Sequence, residues 1–514
     1  MNNIKISVLV VLATIFCAGC IPQGNVTLTI DAEGPAIGTI NQRLNDFSVK
    51  LDTTSPFFME TLTDSQSEAS LIRVEFGLSH YDCSTEEFDA DQVASVSEKI
   101  DAVQQVGAEV MLLVTYNASC LAREPKFPIL SSLLSFQPER RPAENPDDYQ
   151  NLVEKALALF TTDRINAGKR PVTIIEGWNE PDFFLLFFHG FRDEFIEKVF
   201  IPTGKAITQI ENDTGLEITF FTSATSSLFA SLLGGSGNIA YDYIASMVNA
   251  SELHDFELEG IAWHYYASSP FTGLGESEFS FGDLDPIIDA VVKRVNPEAS
   301  AQFYLDQIDT LKINYPDKLL AITEWSIVPG VFDIRTHNHE GAALIASTIT
   351  AMQEGGLDYA QLFTLINGSS PFAKGFGLIN NEGEADQRLH AVRFWGAMGE
   401  DQLQIAEGAN EPSHDVWATA SRHYNGDISL LVSNYRGQPR FENYSISILL
   451  DNANHNLENA TASWLDNTNG PWDPPRIEDI NFFYNDDNSI QIDFDMPAQS
   501  VVKIHIPTGT VSQR

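Results

Sequence analysis

Thr173-Ile-Ile-Glu-Gly-Trp178 is a short apolar run that breaks off into Asn179-Glu180-Pro181. Seven other runs have the same character: Phe47–Leu51, Leu71–Phe76, Val110–Thr115, Ile218–Thr222, Gly260–Tyr266, Leu319–Glu324 and Tyr359–Leu365. Between them lie longer stretches of helical period, among them Asp91–Val106, Asp147–Asn166, Phe195–Glu211, Asp283–Val295 and Glu340–Glu354. Runs too short for helices, each followed by a helix-period segment, predict β–α units, and eight in succession predict a (β/α)₈ TIM barrel.

The pattern changes after residue 385. Tyr444–Leu450, Ile490–Met496 and Val502–Ile506 alternate apolar and polar residues and are separated by turn clusters such as Asn425-Gly426. This predicts a C-terminal β-sandwich. Val26–Ile30 alternates in the same way ahead of the first barrel run, so it is expected to cross over and join that sandwich. The expected organisation is a leader at 1–19, an N-terminal segment at 20–45, a barrel at 46–385 and a sandwich at 386–514.

The chain has 514 residues, with 30 Lys and Arg against 71 Asp and Glu, a net charge of −41. Such a charge disfavours nucleic acid and anionic membrane surfaces as partners. It also disfavours strongly sulfated or uronate-rich polymers unless a basic cleft compensates locally. Hydrophobic residues make up 43% of the chain, enough to fill a large core. Four cysteines are too few for a disulfide-dense scaffold. Met1–Cys20 has a lysine, then an apolar stretch too short to span a bilayer, and ends Cys17-Ala-Gly-Cys20. It resembles a bacterial lipoprotein leader, with Cys20 the expected lipidation site, although Cys17 stands where leucine is usual. Cys83 and Cys120 then remain, placed after neighbouring barrel strands. A disulfide and two free thiols are both compatible with that placement.

Barrel active sites form at the C-terminal ends of the strands. Glu180 closes the fourth run and Glu324 the seventh, each beside a tryptophan. One glutamate at a strand end is ordinarily a solvated loop residue. Two facing one cleft suit glycosidic cleavage, which needs a neutral acid for the leaving oxygen and a carboxylate to attack or to activate water.

Trp178-Asn-Glu-Pro181 on strand four together with Thr323-Glu-Trp325 on strand seven resembles the clan A retaining glycoside hydrolases, and within them family 39. The resemblance implies that Glu180 is the general acid/base, that Glu324 is the nucleophile, and that Asn179 meets the sugar 2-hydroxyl. It implies that Arg73, in Leu71-Ile-Arg-Val-Glu-Phe76, fixes the nucleophile, with Glu324 or Glu75 as its partner. His264 and Tyr266, in Ala262-Trp-His-Tyr-Tyr-Ala267, resemble the clan's His-x-Tyr strand, and a one-residue register decides whether Tyr265 or Tyr266 faces inward. Trp325 and Asn367 are expected to support the sugar; for Trp178, Trp263 and Trp325 alike, stacking and core packing are both open readings. Double displacement requires the carboxyl groups to lie roughly 5–5.5 Å apart. Arg and Tyr donors should keep Glu324 ionised while Glu180 holds its proton.

Phe183-Phe-Leu-Leu-Phe-Phe-His189 departs from the more polar family 39 pattern; it either packs beneath its loop or forms a sugar platform. Ser268–Gly282 is expected to line or wall off the cleft. His337, His339 and Glu340 read as a solvated helix start rather than a metal site. No cofactor or metal is expected. The resemblance implies a lipid-anchored β-xylosidase-like enzyme on the bacterial cell envelope, facing the periplasm or exterior and acting on oligo- or polysaccharide. An endo-acting hydrolase of an exopolysaccharide or algal galactan is the second reading of the substrate. A catalytically silent carbohydrate-binding surface lipoprotein is the reading from another class.

Overall fold

The computed structural model describes residues 23–49, 69–125, 137–183, 187–226, 238–266, 301–326, 337–366, 376–380, 382–406, 415–437, 439–452, 459–478, 481–485 and 489–508. Eight parallel strands close into a barrel in chain order: Asp46–Val49, Leu71–Gly77, Glu109–Thr115, Ile174–Gly177, Thr219–Phe221, Gly260–Tyr266, Leu319–Ser326 and Tyr359–Phe363. The eighth pairs with the first, Leu362 opposite Phe47. All eight expected runs are barrel strands, and the fifth is trimmed to three residues.

Helices follow where the 3.6-residue period predicts them. Asp89 caps Ala90–Gln105 by accepting the Asp91 and Gln92 amides. Asp147–Asn166 divides into Pro146–Phe160 and Thr162–Asn166. Phe195–Glu211 is spread over Arg192–Phe195, a wider π-type turn at Ile196–Phe200, and Ile201–Thr214. The Asp283–Val295 expectation lies outside the described residues.

The barrel interior is layered along the strands. Leu71, Met111, Ile174, Phe221, Ala262, Ala321 and Tyr359 form an apolar cluster toward the N-terminal end. Two residues further along three of those strands come Arg73, Glu176 and His264, all buried. Period two keeps each of these pairs on one face, so the chain seals the bottom of the barrel with hydrocarbon and lines its mouth with charge.

The sandwich has a four-stranded sheet, in which Gln23–Asp31 pairs in parallel with Asn443–Asp451, and a seven-stranded sheet containing Val416–Arg422, Ile428–Asn434 and Val501–Ile506. Val26, Leu28 and Ile30 thereby enter one core with Ile446, Ile448, Val432 and Ile504. The helix Gln387–Gly396 still follows the eighth barrel strand, and antiparallel pairing begins at Asp401, some way beyond the expected 385/386 border. Helix His339–Gly355 is buried on nearly every side. It is wedged between barrel and sandwich, with Ser347 bonded to Ser433 (2.9 Å) and Thr419 to Thr350 (3.2 Å). A helix apolar all round is what such a position demands.

Cys83 and Cys120 are joined in a disulfide, with their Cα atoms 6.4 Å apart. No helix among the described residues is long and apolar enough to cross a membrane. The leader, Cys20, Asn367 and Ser268–Gly282 lie outside the described residues.

Candidate active site

Three strands bring their polar residues to the mouth in three ways. The sixth obeys plain alternation: Ile261, Trp263 and Tyr265 pack in the outer core, while His264 and Tyr266 face inward. That settles the register in favour of Tyr266. The seventh strand breaks alternation. Ala321 points into the barrel, so strict period two would send Glu324 outward. A bulge skips one residue in the pairing, with Trp263 opposite Ile322 and His264 opposite Glu324. The extra residue turns Glu324 inward and Trp325 out. The fourth strand uses backbone conformation instead: Trp178 (φ 39°) and Glu180 (φ 46°) are both left-handed. Trp178 swings into the outer core, where its ring packs on Tyr116, Tyr149, Phe188 and Phe195, and Asn179 and Glu180 are left at the mouth. Left-handed non-glycine residues cost about 1–3 kcal/mol each and cluster at functional sites.

A continuous network results. Arg73 is 3% exposed and grips Glu176 with two hydrogen bonds, Nε to Oε2 (2.9 Å) and Nη2 to Oε1 (2.8 Å). Its Nη1 donates to Glu324 Oε1 at 2.7 Å and its Nη2 to Asn179 Oδ1 at 3.2 Å. Tyr266 donates its hydroxyl to Glu324 Oε2, also at 2.7 Å. His264 Nδ1 lies 2.7 Å from Glu180 Oε1 and 3.7 Å from Glu324 Oε2. A carboxylate oxygen of Glu180, one of Glu324 and a ring nitrogen of His264 all fall within 4.8 Å of one another.

The electrostatics follow from this burial. Burial works against the Arg73 charge, but the Glu176 and Glu324 carboxylates outweigh it and hold the guanidinium charged well beyond its ordinary range. Burial, then the charge on Glu324, pushes the Tyr266 phenol far up, so it stays a donor. For His264, burial pulls the imidazole down, yet the Glu324 charge, the hydrogen bond to Glu180 and the charge on Glu180 lift it above its ordinary value. By donor type, Glu180, His264 and Glu324 could hold a divalent cation. Glu324, however, already takes a donor on each oxygen, and a cation there would face the Arg73 guanidinium across the same carboxylate.

Several expectations need correcting or completing. Trp325 is fully buried with its ring edge-on to Tyr304, so it packs the barrel wall and does not meet the cleft. Trp178 and Trp263 are core as well, Trp263 donating to Gln307 (2.9 Å). In Phe183–His189, Phe188 is buried against Trp178, and Phe187 lies against Phe183 and under the Arg140 guanidinium, which supports packing beneath the loop. His337 bonds Asp386 (2.8 Å), and the helix after it is capped by Asn338. Two buried residues at the site were not anticipated. Glu176 is signalled by a charge inside an otherwise apolar strand. Asp182 follows the Asn-Glu-Pro motif and carries no signal in the sequence.

A closed parallel barrel with facing glutamates on strands four and seven and a trailing sandwich has the architecture of the clan A glycoside hydrolases. Solved structures place the fold more narrowly, beside families 39 and 30. A glucosidase from Croceicoccus marinus superposes with a TM-score of 0.62 at 14% identity, covering 95% of this chain and all of its own. A family 39 β-xylosidase from Caulobacter crescentus gives 0.60 at 14%, covering 94% of this chain and 99% of its own. A family 30 endoxylanase from Clostridium papyrosolvens gives 0.57 at 12%, covering 95% and 100%. No protein-family model and no curated protein matches the chain. At such identities the likeness is one of fold.

Proposed function

We propose that the protein is a retaining β-glycoside hydrolase in which Glu324 is the nucleophile and Glu180 the acid/base. The observation that carries this reading is that one oxygen of Glu180 and one of Glu324 lie within 4.8 Å of each other, an approach compatible with the roughly 5–5.5 Å between carboxyl groups of retaining sites. Glu324, held ionised by Arg73 and Tyr266, attacks the anomeric carbon. The glycosidic C–O bond breaks, and the leaving oxygen takes the proton shared by Glu180 and His264. A glycosyl ester on Glu324 remains. Water then attacks that carbon, surrenders a proton to Glu180, and restores the Glu324 carboxylate. Asn179, oriented by Arg73, meets the 2-hydroxyl.

The substrate reading favoured by the resemblance is a β-xyloside; an endo-acting role on an exopolysaccharide or algal galactan is the alternative. A panel of nitrophenyl glycosides and polysaccharides, with the product anomer followed by NMR, tests both reading and mechanism. Cleavage with retained β-configuration is expected. Inversion overturns the mechanism, and sugar binding without cleavage across the panel favours a silent binding protein. Attachment to the bacterial envelope through an acylated Cys20 is part of the same proposal, and it is supported by the leader sequence alone. Cys20→Ser should release the protein from membranes, and mass spectrometry of the mature N-terminus should find no acyl group.

A further inference from the structure

Asp182 lies two residues beyond Glu180, 3% exposed, in a place the double-displacement scheme does not use. The chain after the fifth strand laces the site together there. Glu180 donates its amide to the Ala224 carbonyl (3.0 Å), and His264 donates its amide to the Thr225 carbonyl (2.8 Å). Ser226 completes the lacing by donating its amide to Asp182 Oδ1 at 2.7 Å. Among the described residues the other oxygen, Oδ2, is buried without a hydrogen-bond partner. An ionised carboxylate would strand a charge on that oxygen with neither water nor a donor to offset its desolvation. The titratable groups facing it are Glu180 on its own segment, His264 on the sixth strand and Tyr243 on helix Asn238–His254. Glu180 opposes the Asp182 charge and His264 favours it.

We propose that Asp182 is kept as a neutral carboxylic acid and acts as the positioning residue for Glu180, fastening the acid/base segment to Ser226 without adding a third negative charge beside the reacting pair. This rests on the glycosidase reading only for its kinetic consequences. Burial, as the dominant cause, pushes the carboxyl from 3.8 to about 8, so Asp182 holds its proton at neutral pH and ionises on the alkaline side. Once ionised, its charge makes His264 hold its proton more tightly.

Asp182→Asn and Asp182→Ala test this on the full chain. Asn reproduces the neutral acceptor for Ser226, whereas Ala leaves that amide unpaired. On a cleaved aryl glycoside at pH 6, kcat/KM should fall by about tenfold or more in D182A, and D182N should restore most of the loss. The alkaline limb of the D182N profile should move to lower pH, by about half a unit or more. A second readout needs no turnover. A group protonated in the folded state and ionised in the unfolded one loses stability as pH rises from its unfolded toward its folded value. The wild-type melting temperature should therefore drop relative to that of D182N between pH 5 and 8, and the two curves should run parallel above that range. Parallel melting curves throughout, or D182N as impaired as D182A at pH 6, overturn the proposal. If no glycoside is cleaved, the glycosidase reading falls and the melting curves alone decide the state of Asp182.

Discussion

The two glutamates at the barrel mouth are the same residue type in the same cleft, but they sit against different walls. Glu324 is held by Arg73 and Tyr266, each at 2.7 Å and each pushed out of the range in which it could exchange a proton. Glu180 is held by His264 at 2.7 Å, with Asp182 close by on the same segment; the neighbouring carboxylates lift the imidazole above its ordinary value, and burial pushes Asp182 up to about 8. One wall fixes a charge and the other trades protons. Fixed charge suits a nucleophile that must stay ionised, and exchangeable protons suit a group that must act first as acid and then as base. The neighbours match the roles proposed for the two glutamates.

The comparison is broken most completely at Glu324. Glu324→Gln keeps the shape and removes the nucleophile, so turnover should fall by about 10⁴-fold or more in a steady-state assay. Wild-type rates in that variant would end the assignment. At the other wall, Glu180→Ala should cost about 10²–10⁴-fold on substrates with poor leaving groups. With a dinitrophenyl leaving group, which needs no proton, the first step should survive and a glycosyl-enzyme should accumulate as an added mass. An equal loss on both substrate types would argue that Glu180 is not the acid. Arg73→Met tests the fixed wall itself. It leaves Glu176 and Glu324 without their shared cation in a buried site, so unfolding free energy should fall by about 3–5 kcal/mol in denaturant titrations. A surface-like loss below 1 kcal/mol would mean that the ion pairs are not holding the site.

The contrast between the walls also explains what was legible in the sequence. Strand six is readable from periodicity, because nothing interrupts its alternation, and His264 and Tyr266 follow from one another. Strands four and seven are not. The bulge before Glu324 and the left-handed backbone at Trp178 and Glu180 reverse the faces that counting by twos assigns to Glu324, Trp178 and Asn179, and the motifs rather than the period single out the two glutamates. The same reversals turn Trp178 and Trp325 into wall residues although they adjoin the two glutamates. Glu176 could have been read as the buried partner that Arg73 requires, whereas Glu324 or Glu75 was the expectation. Asp182 was beyond reach, since its burial depends on an amide 44 residues away that only the closed barrel brings to it. In the sandwich, Ile490–Pro497 and Val501–Ile506 alternate cleanly enough to be seen, but Arg476–Glu478 is too short and polar to announce itself.

The smallest effect concerns His264, and it sharpens the comparison by isolating a single proton. Its folded-state affinity for a proton is raised above the unfolded value of 6.5, so the stability it contributes is fully present below that pH and is lost as pH climbs through the folded value. His264→Gln removes the titration and leaves an amide able to reach Glu180. The stability difference between wild type and variant should accordingly be constant below about pH 6 and shrink on the alkaline side, with a slope of no more than about 1.4 kcal/mol per pH unit for one proton. The Glu324 charge and the contact with Glu180 both lift His264, so in a Glu180→Ala background, where the second of these is gone and the first remains, the His264→Gln difference should shrink without vanishing. A difference that grows with pH would mean that His264 is buried neutral, and the proton-trading wall would then have to rest on Glu180 and Asp182 alone.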